Sequence, residues 1–220
     1  MPPKSRIRRK DLRRPDEFVT KTSQAIRFAR EHAQPVMWGA GVVVLLVGAS
    51  LAVVSFRQLQ RQQASAEMGN AMAAFNGQRY ADALTMFDDF SHRWASSDTA
   101  PIAKLYAGKA SLALRKYDDA VAAVEAVLPE LREEYLRQQA LVTLGYALEG
   151  KQDYPGAARR FAEAAALHGP YLEQAVLGEA RARDLAGDTV AAKEAYTRFL
   201  NDFSTSPEAD RVRELLAQKP

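Results

Sequence analysis

The chain has 220 residues, 26% of them charged, and its formal net charge is +3. It contains no cysteine, which excludes disulfides, thiolate nucleophiles, iron–sulfur clusters and cysteine-based zinc sites. The small net charge hides an asymmetry, because residues 1–34 carry ten Lys or Arg and four Asp or Glu, whereas residues 57–220 carry 20 and 23.

Residues 1–34 form a basic tail with two parts. Residues 1–10 are too polar and too charged to fold alone, and we predict that they are disordered. Pro15, followed by two acidic residues, is typical of a first helical turn, so a helix should extend to about His32. This helix has an apolar face and a basic face, which suits either binding to anionic lipid headgroups or a topology signal with no further role.

Residues Val36 to Phe56 form an apolar run of 21 positions without a charged side chain. At about 1.5 Å per residue, a helix of this length matches a bilayer core of roughly 30 Å. The run is longer and begins later than the apolar part of a cleaved signal peptide. A lipoprotein would need a cysteine, and a buried core helix would have more polar positions. We therefore predict a single transmembrane helix over residues 35–56, with the basic tail in the cytoplasm and the rest of the chain outside.

One face of this helix carries small side chains at spacings of seven, four and three residues: Gly41, Gly48, Ala52 and Ser55. Small residues let helices approach closely in lipid, so this stripe suits contact with a partner helix. Gly and Ala are also common in spanning helices, and ordinary composition is the other explanation.

Residues 57–220 are rich in Ala, Leu, Glu, Arg and Gln, which predicts helices throughout. Four segments of this region align with spacings of 37, 37 and 35 residues. The aligned segments share a first marker, aromatic in three of them, at Tyr80, Tyr117, Tyr154 and Thr189. Alanine follows three residues later, at Ala83, Ala120, Ala157 and Ala192. A larger side chain follows seven residues after the marker, at Phe87, Val124, Phe161 and Tyr196. A small residue stands twelve positions before each alanine, at Ala71, Gly108, Gly145 and Ala180.

Helix packing explains the small residues of this pattern, since two antiparallel helices touch backbone to backbone only where both carry small side chains. The pattern resembles the tetratricopeptide repeat, and the third unit, LGYALEGKQDYPGAARRFAEA, is the closest match. The resemblance implies a solenoid of about four helix pairs with a capping helix after Ser206. With the apolar run, the predicted fold is all-α, a single transmembrane helix followed by this solenoid. Residues 58–66 either continue the anchor helix or form a loose linker. Four prolines lie where new helices should begin: Pro101, Pro129, Pro170 and Pro207.

The chain carries no recognisable pattern of catalytic or cofactor-binding residues. Its histidines, His32, His92 and His168, are isolated in sequence, and phosphate-binding, dinucleotide-binding and nucleophile-elbow motifs are missing. The basic tail lacks the patterns typical of nucleic-acid binding. We therefore expect a protein that is not an enzyme, with no cofactor, no metal, no small-molecule substrate and no nucleic-acid partner.

Helical solenoids offer a curved surface to a peptide or a partner domain. In the tetratricopeptide repeat the first helix of each pair lines the concave side. The resemblance places eight residues there: Met68, Met72, Phe75, Lys109, Leu112, Tyr146, Glu149 and Arg181. The two methionines can instead pack the first helix pair. Cytosolic co-chaperones of this type grip a carboxylate with Lys and Asn residues, and the corresponding places here include Gln139 and Thr143, which argues against that role.

The order of parts resembles the YfgM-type bacterial inner-membrane proteins, ancillary subunits of the Sec translocon with a periplasmic chaperone-like role. The resemblance covers about residues 35–220, and the longer basic tail departs from it. It implies an inner-membrane protein whose periplasmic repeat domain, residues 57–220, binds exported chains, periplasmic chaperones or translocon subunits. Two alternatives are a scaffold that organises a cell-envelope complex and a regulator that signals through the basic tail.

Overall fold

A computed structural model of the chain describes residues 26–28, 30 and 33–218. These residues form helices and turns without a strand, which confirms the all-α prediction. From residue 33 onward the helices are α1 (Ala33–Asn76), α2 (Tyr80–Arg93), α3 (Ala100–Ala113), α4 (Tyr117–Val127), α5 (Glu134–Gly150), α6 (Tyr154–Ala165), α7 (Leu172–Leu185), α8 (Thr189–Asp202) and α9 (Ala209–Ala217). The disorder predicted for residues 1–10, and most of the tail helix predicted from Pro15 to His32, lie outside the described residues.

The chain divides into two compact units, the first ending at Gln60 and the second beginning at Arg61. In the first unit the apolar side chains of α1 are exposed: Trp38 is 78% exposed and Phe56 is 61% exposed. By length and composition α1 can cross a membrane, and it is the one such helix in the described part of the chain. A core helix of a water-soluble protein would bury this surface, so the exposure argues against that alternative.

Helix α1 also contains the small-residue stripe and residues 58–66, for which the sequence allowed either a helix or a loose linker. A Cβ atom added at Gly41 or Gly48 would meet no atom within 4 Å, and Ala52 and Ser55 are exposed. Residues 58–66 are helical, so this segment is not a loose linker.

The second unit consists of helix pairs joined by short turns. The end of α1 pairs with α2, and α3 with α4, α5 with α6 and α7 with α8. Helix α5 also contacts α3 and α7, so the first helices of these pairs lie side by side. Helix α9 packs on α8 and buries Val212. Four pairs and a final covering helix are therefore present in the described residues, as the repeat pattern predicted.

The repeat positions lie where helices cross. The second helices of the four pairs begin at the marker residues Tyr80, Tyr117, Tyr154 and Thr189. The four alanines three residues later have no exposed surface. A Cβ atom at Gly145 would lie 2.6 Å from the Phe161 ring, so the small residue leaves the space that the large side chain occupies. The proline at position 129 lies in a 3₁₀ turn (Leu128–Glu130), and the next helix begins only at Glu134.

Each pair turns through one residue in the left-handed conformation. These residues, two positions before each second helix, are Gln78 (φ 60°), Arg115 (φ 58°), Gln152 (φ 66°) and Gly187 (φ 80°). In the first pair the N–H of Arg79 donates to the carbonyl oxygen of Ala74 at 2.9 Å, and the N–H of Gln78 to that of Phe75 at 3.0 Å. The other pairs repeat these bonds, which close the end of the first helix in a Schellman motif. The repeat pattern in the sequence does not reveal this turn position, because only one of the four residues, Gly187, is of a type that favours the left-handed conformation.

Candidate functional site

A cleft of about 400 Å³ lies along the first helices of the second unit. It brings together four of the eight residues predicted for the concave side, Phe75, Lys109, Leu112 and Tyr146. Six further residues complete its lining: Ala113, Gln139, Val142, Thr143, Tyr171 and Gln174. Lys109 is the one charged residue in this lining, which is otherwise apolar, aromatic or neutral and polar.

One wall of the cleft, called the aromatic wall, is the ring of Phe75 together with the rings that pack behind and beside it. Phe75 meets Tyr106 edge to face, with ring centroids 5.5 Å apart and an interplanar angle of 89°. Phe75 also contacts Tyr80 at 5.4 Å between centroids, and Phe87 lies 5.6 Å from Tyr106. Because such ring pairs prefer this geometry and Phe87 has no exposed surface, the core of the first two repeats holds this wall in place.

Lys109 lies over this aromatic wall. Its Nζ is 4.4 Å from the centroid of Tyr106 and 5.5 Å from that of Phe75, within the range of cation–π interactions. Burial lowers the pKa of Lys109, because the ammonium has lost part of its hydration. Among the described residues no carboxylate lies within 4.0 Å of its Nζ. The cleft therefore contains a half-buried positive charge that pairs with no carboxylate in the part of the chain that the structure describes.

The opposite wall is polar. The side-chain amide of Gln139 donates to the hydroxyl oxygen of Tyr171, and the hydroxyl of Thr143 donates to the Gln139 carbonyl oxygen at 2.8 Å. Since the Tyr171 oxygen accepts this bond, its own O–H is left to donate to a further acceptor. Burial raises the pKa of Tyr171, with the nearby phenols of Tyr106 and Tyr135 adding to the effect, so the hydroxyl is neutral at physiological pH.

Gln138, which the sequence did not single out, positions this wall. It has no exposed surface, and its side-chain oxygen accepts a 3.0 Å hydrogen bond from the backbone N–H of Tyr171. Its side-chain nitrogen donates to the carbonyl oxygens of Ala164, at 3.1 Å, and Leu167. A single buried amide thus connects α5 to the end of α6 and the entry of α7. A glutamine within a helix is a weak sequence signal, since its burial is set by the neighbouring repeats.

Glu149 and Arg181, two more of the predicted residues, pair with each other next to the cleft. The Arg181 guanidinium donates two hydrogen bonds to Glu149, at 2.7 and 2.6 Å. Its central carbon lies 5.4 Å from the ring centroid of Tyr146. The hydrogen bonds to Glu149 raise the pKa of Arg181. The two charges neutralise each other across successive repeats.

Met68 and Met72 are outside the cleft lining. Both are partly buried and pack against the core shared by α1, α2 and α3, which includes Ala71, Ala74, Phe87 and Phe90. This placement matches the alternative in which the methionines pack the first helix pair. A role for them in binding a partner stays a prediction.

Within the described residues no three His, Asp or Glu side chains lie close enough together to hold a metal ion. The cleft lining combines aliphatic side chains, aromatic rings, hydrogen-bond donors and acceptors and one cation.

Comparison with known proteins identifies the type of fold. No protein-family model and no curated protein matches the chain. Among solved structures, this chain is similar to a Podosopora anserina protein named as a kinesin light chain, with nearly identical TPR-like repeats. The TM-score is 0.58 and the sequence identity is 16%. The match covers 70% of this chain and 83% of that one. A single-substitution variant of the same protein matches with a TM-score of 0.59, the same identity and the same coverage. At this identity the likeness shows the fold alone, which is a tetratricopeptide-like helical solenoid.

Proposed function

We propose that the protein is a membrane-anchored protein-interaction module whose repeat domain holds a segment of a partner protein in the cleft. The observation that carries this proposal is the composition of the cleft, with an aromatic wall, a polar wall and one half-buried cation. A peptide offers matching apolar side chains, amide groups and charges. The solenoid fold supports the same class of function, because solenoids present extended concave surfaces to their partners.

The anchor in this proposal is residues 35–56, which cross the membrane once. The exposed apolar surface of α1 supports a lipid environment, since soluble proteins rarely expose a patch of this extent. The ten basic residues of the tail place the N-terminus in the cytoplasm. The repeat domain, residues 57–220, then lies in the periplasm of a bacterial cell.

The partners in this proposal are exported polypeptides or periplasmic chaperones near the Sec translocon. The order of basic tail, spanning helix and repeats supports this assignment through its resemblance to the YfgM-type proteins. The second candidate is a scaffold that organises a cell-envelope complex and binds one folded partner.

Photocrosslinking in the native membrane tests the role of the cleft. A photoreactive amino acid is placed at Ala113, an exposed residue of the cleft lining, or at Ala122, an exposed residue of α4 outside it. We expect crosslinks to other proteins from position 113 and few from position 122. Equal crosslinking from both positions, or none from position 113, would contradict the proposal.

The identity of the crosslinked proteins separates the two candidates. Many exported chains indicate the chaperone-like role, and one stoichiometric folded partner indicates the scaffold. Purification of the full chain from membranes in mild detergent tests the translocon separately. If the translocon channel does not co-elute, the translocon assignment is wrong, whereas the interaction module is judged by the crosslinks.

A further inference from the structure

We propose that Lys109 binds an acidic side chain, Asp or Glu, from an extended segment of the partner protein that lies across Phe75 and Tyr106. This inference rests on the proposed function and adds the chemistry that the partner segment must carry. The inference follows from two cations at equivalent positions of the repeat. Arg181 is paired with a carboxylate of this protein, and Lys109 is paired with none among the described residues.

Lys109 and Arg181 occupy the same position of the repeat, directly after the small residues Gly108 and Ala180. Arg181 receives its carboxylate from the preceding repeat, where Glu149 stands four residues after the small position. Two hydrogen bonds of 2.7 and 2.6 Å join them. The geometry of successive repeats thus brings a carboxylate to the cation at this position.

The position that corresponds to Glu149 in the repeat before Lys109 is Phe75. Its ring lies under the ammonium, with the centroid 5.5 Å from Nζ, and supplies no negative charge. Lys109 therefore stands where this solenoid pairs a cation with a carboxylate, but the protein itself offers an aromatic surface instead. A carboxylate from a partner completes the pair.

Other lysines in the second unit show the contrast. Lys104 donates to both carboxylate oxygens of Glu130 at 3.0 Å, and Lys151 pairs with Asp118 at 2.6 Å. Among residues 26–28, 30 and 33–218, Lys109 has only its two ring contacts to offset the loss of water, and burial lowers its pKa. A carboxylate that enters the cleft forms a charge-assisted hydrogen bond where water competes less than at the open surface.

The position of Lys109 along the solenoid favours an acidic side chain within a segment over the carboxylate at a chain end. The equivalent residues of the first three repeats are, in order, Met72, Lys109 and Tyr146, so the row continues on both sides of the cation. A bound segment can therefore pass over Lys109 in both directions. The Tyr171 hydroxyl and the Gln174 amide on the other wall then face the polar groups of its backbone.

Binding of defined peptides to the full chain in lipid nanodiscs tests this inference. The probes are fluorescent peptides of about twelve residues with apolar flanks and one central Glu, each paired with a twin that carries Gln instead. We expect the peptides that bind to prefer Glu over Gln by about tenfold, the effect of one partly buried charge-assisted bond. The preference should disappear in Lys109→Met and Lys109→Gln, and persist in Lys109→Arg. Lys116→Met, which removes an exposed charge from the turn after α3, should leave it unchanged.

The outcomes distinguish this inference from the function on which it rests. Ala113→Trp fills the cleft, so the loss of peptide binding in this variant assigns binding to the cleft. If Glu and Gln peptides bind the cleft equally, or if Lys109→Gln keeps the preference, the role of Lys109 is wrong and the interaction module stands. If no peptide binds, the role of Lys109 is wrong, whereas the interaction module is judged by the crosslinks from position 113. If Lys109→Met loses thermal stability while the Glu preference persists in Lys109→Gln, Lys109 only holds the rings of Phe75 and Tyr106 together.

Discussion

The backbone N–H of Tyr171 donates a 3.0 Å hydrogen bond to the side-chain oxygen of Gln138, a residue with no exposed surface. Tyr171 stands just before α7 and lines the cleft, whereas Gln138 lies inside α5. The polar wall of the cleft is therefore positioned by a bond in the core between the third and fourth repeats. Its orientation does not depend on a surface contact.

Gln138→Leu should be destabilising, because the Tyr171 N–H loses its acceptor. The carbonyl oxygens of Ala164 and Leu167 lose the Gln138 amide but keep backbone donors, the N–H groups of Leu167 and Gly169. We expect a loss of about 1–3 kcal/mol in the free energy of unfolding, the cost of leaving one buried backbone donor without an acceptor. Gln139→Leu is the matched control, as the side-chain amide of Gln139 makes one hydrogen bond within the described residues, to the Tyr171 hydroxyl. Thermal unfolding of both variants provides the measurement, and equal losses would contradict the role assigned to Gln138.

Glycine at a left-handed turn position should make the second unit more stable. Gln152→Gly should stabilise the second unit by about 0.5–1 kcal/mol, because Gln152 has a φ of 66° that costs energy for a residue with a Cβ atom. Gly187→Ala should destabilise by a similar amount, since Gly187 has a φ of 80° and nothing else within 4 Å of an added Cβ. Opposite shifts of the unfolding midpoint are expected, and shifts in the same direction would rule out this explanation.

The helix crossing in the third repeat should not tolerate a methyl group. In Gly145→Ala the new Cβ atom would lie 2.6 Å from the Phe161 ring, and we expect a loss of about 1–3 kcal/mol from overpacking. Gly69→Ala is the control, because Gly69 lies in α1 with nothing within 4 Å of an added Cβ. It should gain up to about 1 kcal/mol from higher helix propensity. Chemical denaturation of the two variants measures the contrast, and a stable Gly145→Ala protein would refute tight packing at the crossing.

The charge on Lys109 should reduce stability at neutral pH. Burial lowers its pKa in the folded state, so the unfolded chain binds the proton more tightly. The resulting destabilisation is fully present below the folded pKa and disappears as the pH rises above the ordinary lysine value. We therefore expect Lys109→Met to unfold at the same or a higher temperature than the unaltered protein at pH 7.

The difference between these two proteins should become smaller near pH 11, above the ordinary lysine pKa of about 10.4. Thermal unfolding of both proteins at each pH provides the comparison. Lys116→Met controls for the loss of a charge, because Lys116 is exposed. A lower unfolding temperature for Lys109→Met at pH 7 would mean that the contacts of the lysine with the two rings outweigh its desolvation.

The direction of the anchor can be measured directly, because the chain contains no cysteine. We expect an impermeant maleimide to label Ala166→Cys, an exposed position between α6 and α7, in cells with a permeabilised outer membrane. Ser5→Cys should react only after the inner membrane is opened, since the basic tail is assigned to the cytoplasm. The reverse labelling pattern would place the repeat domain in the cytoplasm.

Several features of this protein were predictable from its sequence. Three kinds of residue recur at nearly constant spacing: small residues such as Gly108 and Gly145, the alanines that face them and the large side chains that follow. They recur because two helix backbones can approach only where the side chains are small. The apolar run from Val36 to Phe56 predicted a helix long enough to cross a bilayer, and α1 is such a helix by length and composition. Both are consequences of local pattern.

Only the tertiary structure decided which side chains line the cleft and which charge among the described residues has no partner of opposite charge there. Gln138 and Lys109 are ordinary polar residues in the sequence, and their roles depend on which groups the neighbouring repeats bring within hydrogen-bonding distance. The same repeat position holds a neutralised cation at Arg181 and an isolated one at Lys109, because the preceding repeat contributes Glu149 in one case and Phe75 in the other. Residue type sets the charge, but the three-dimensional neighbourhood determines whether the protein or a partner must balance it.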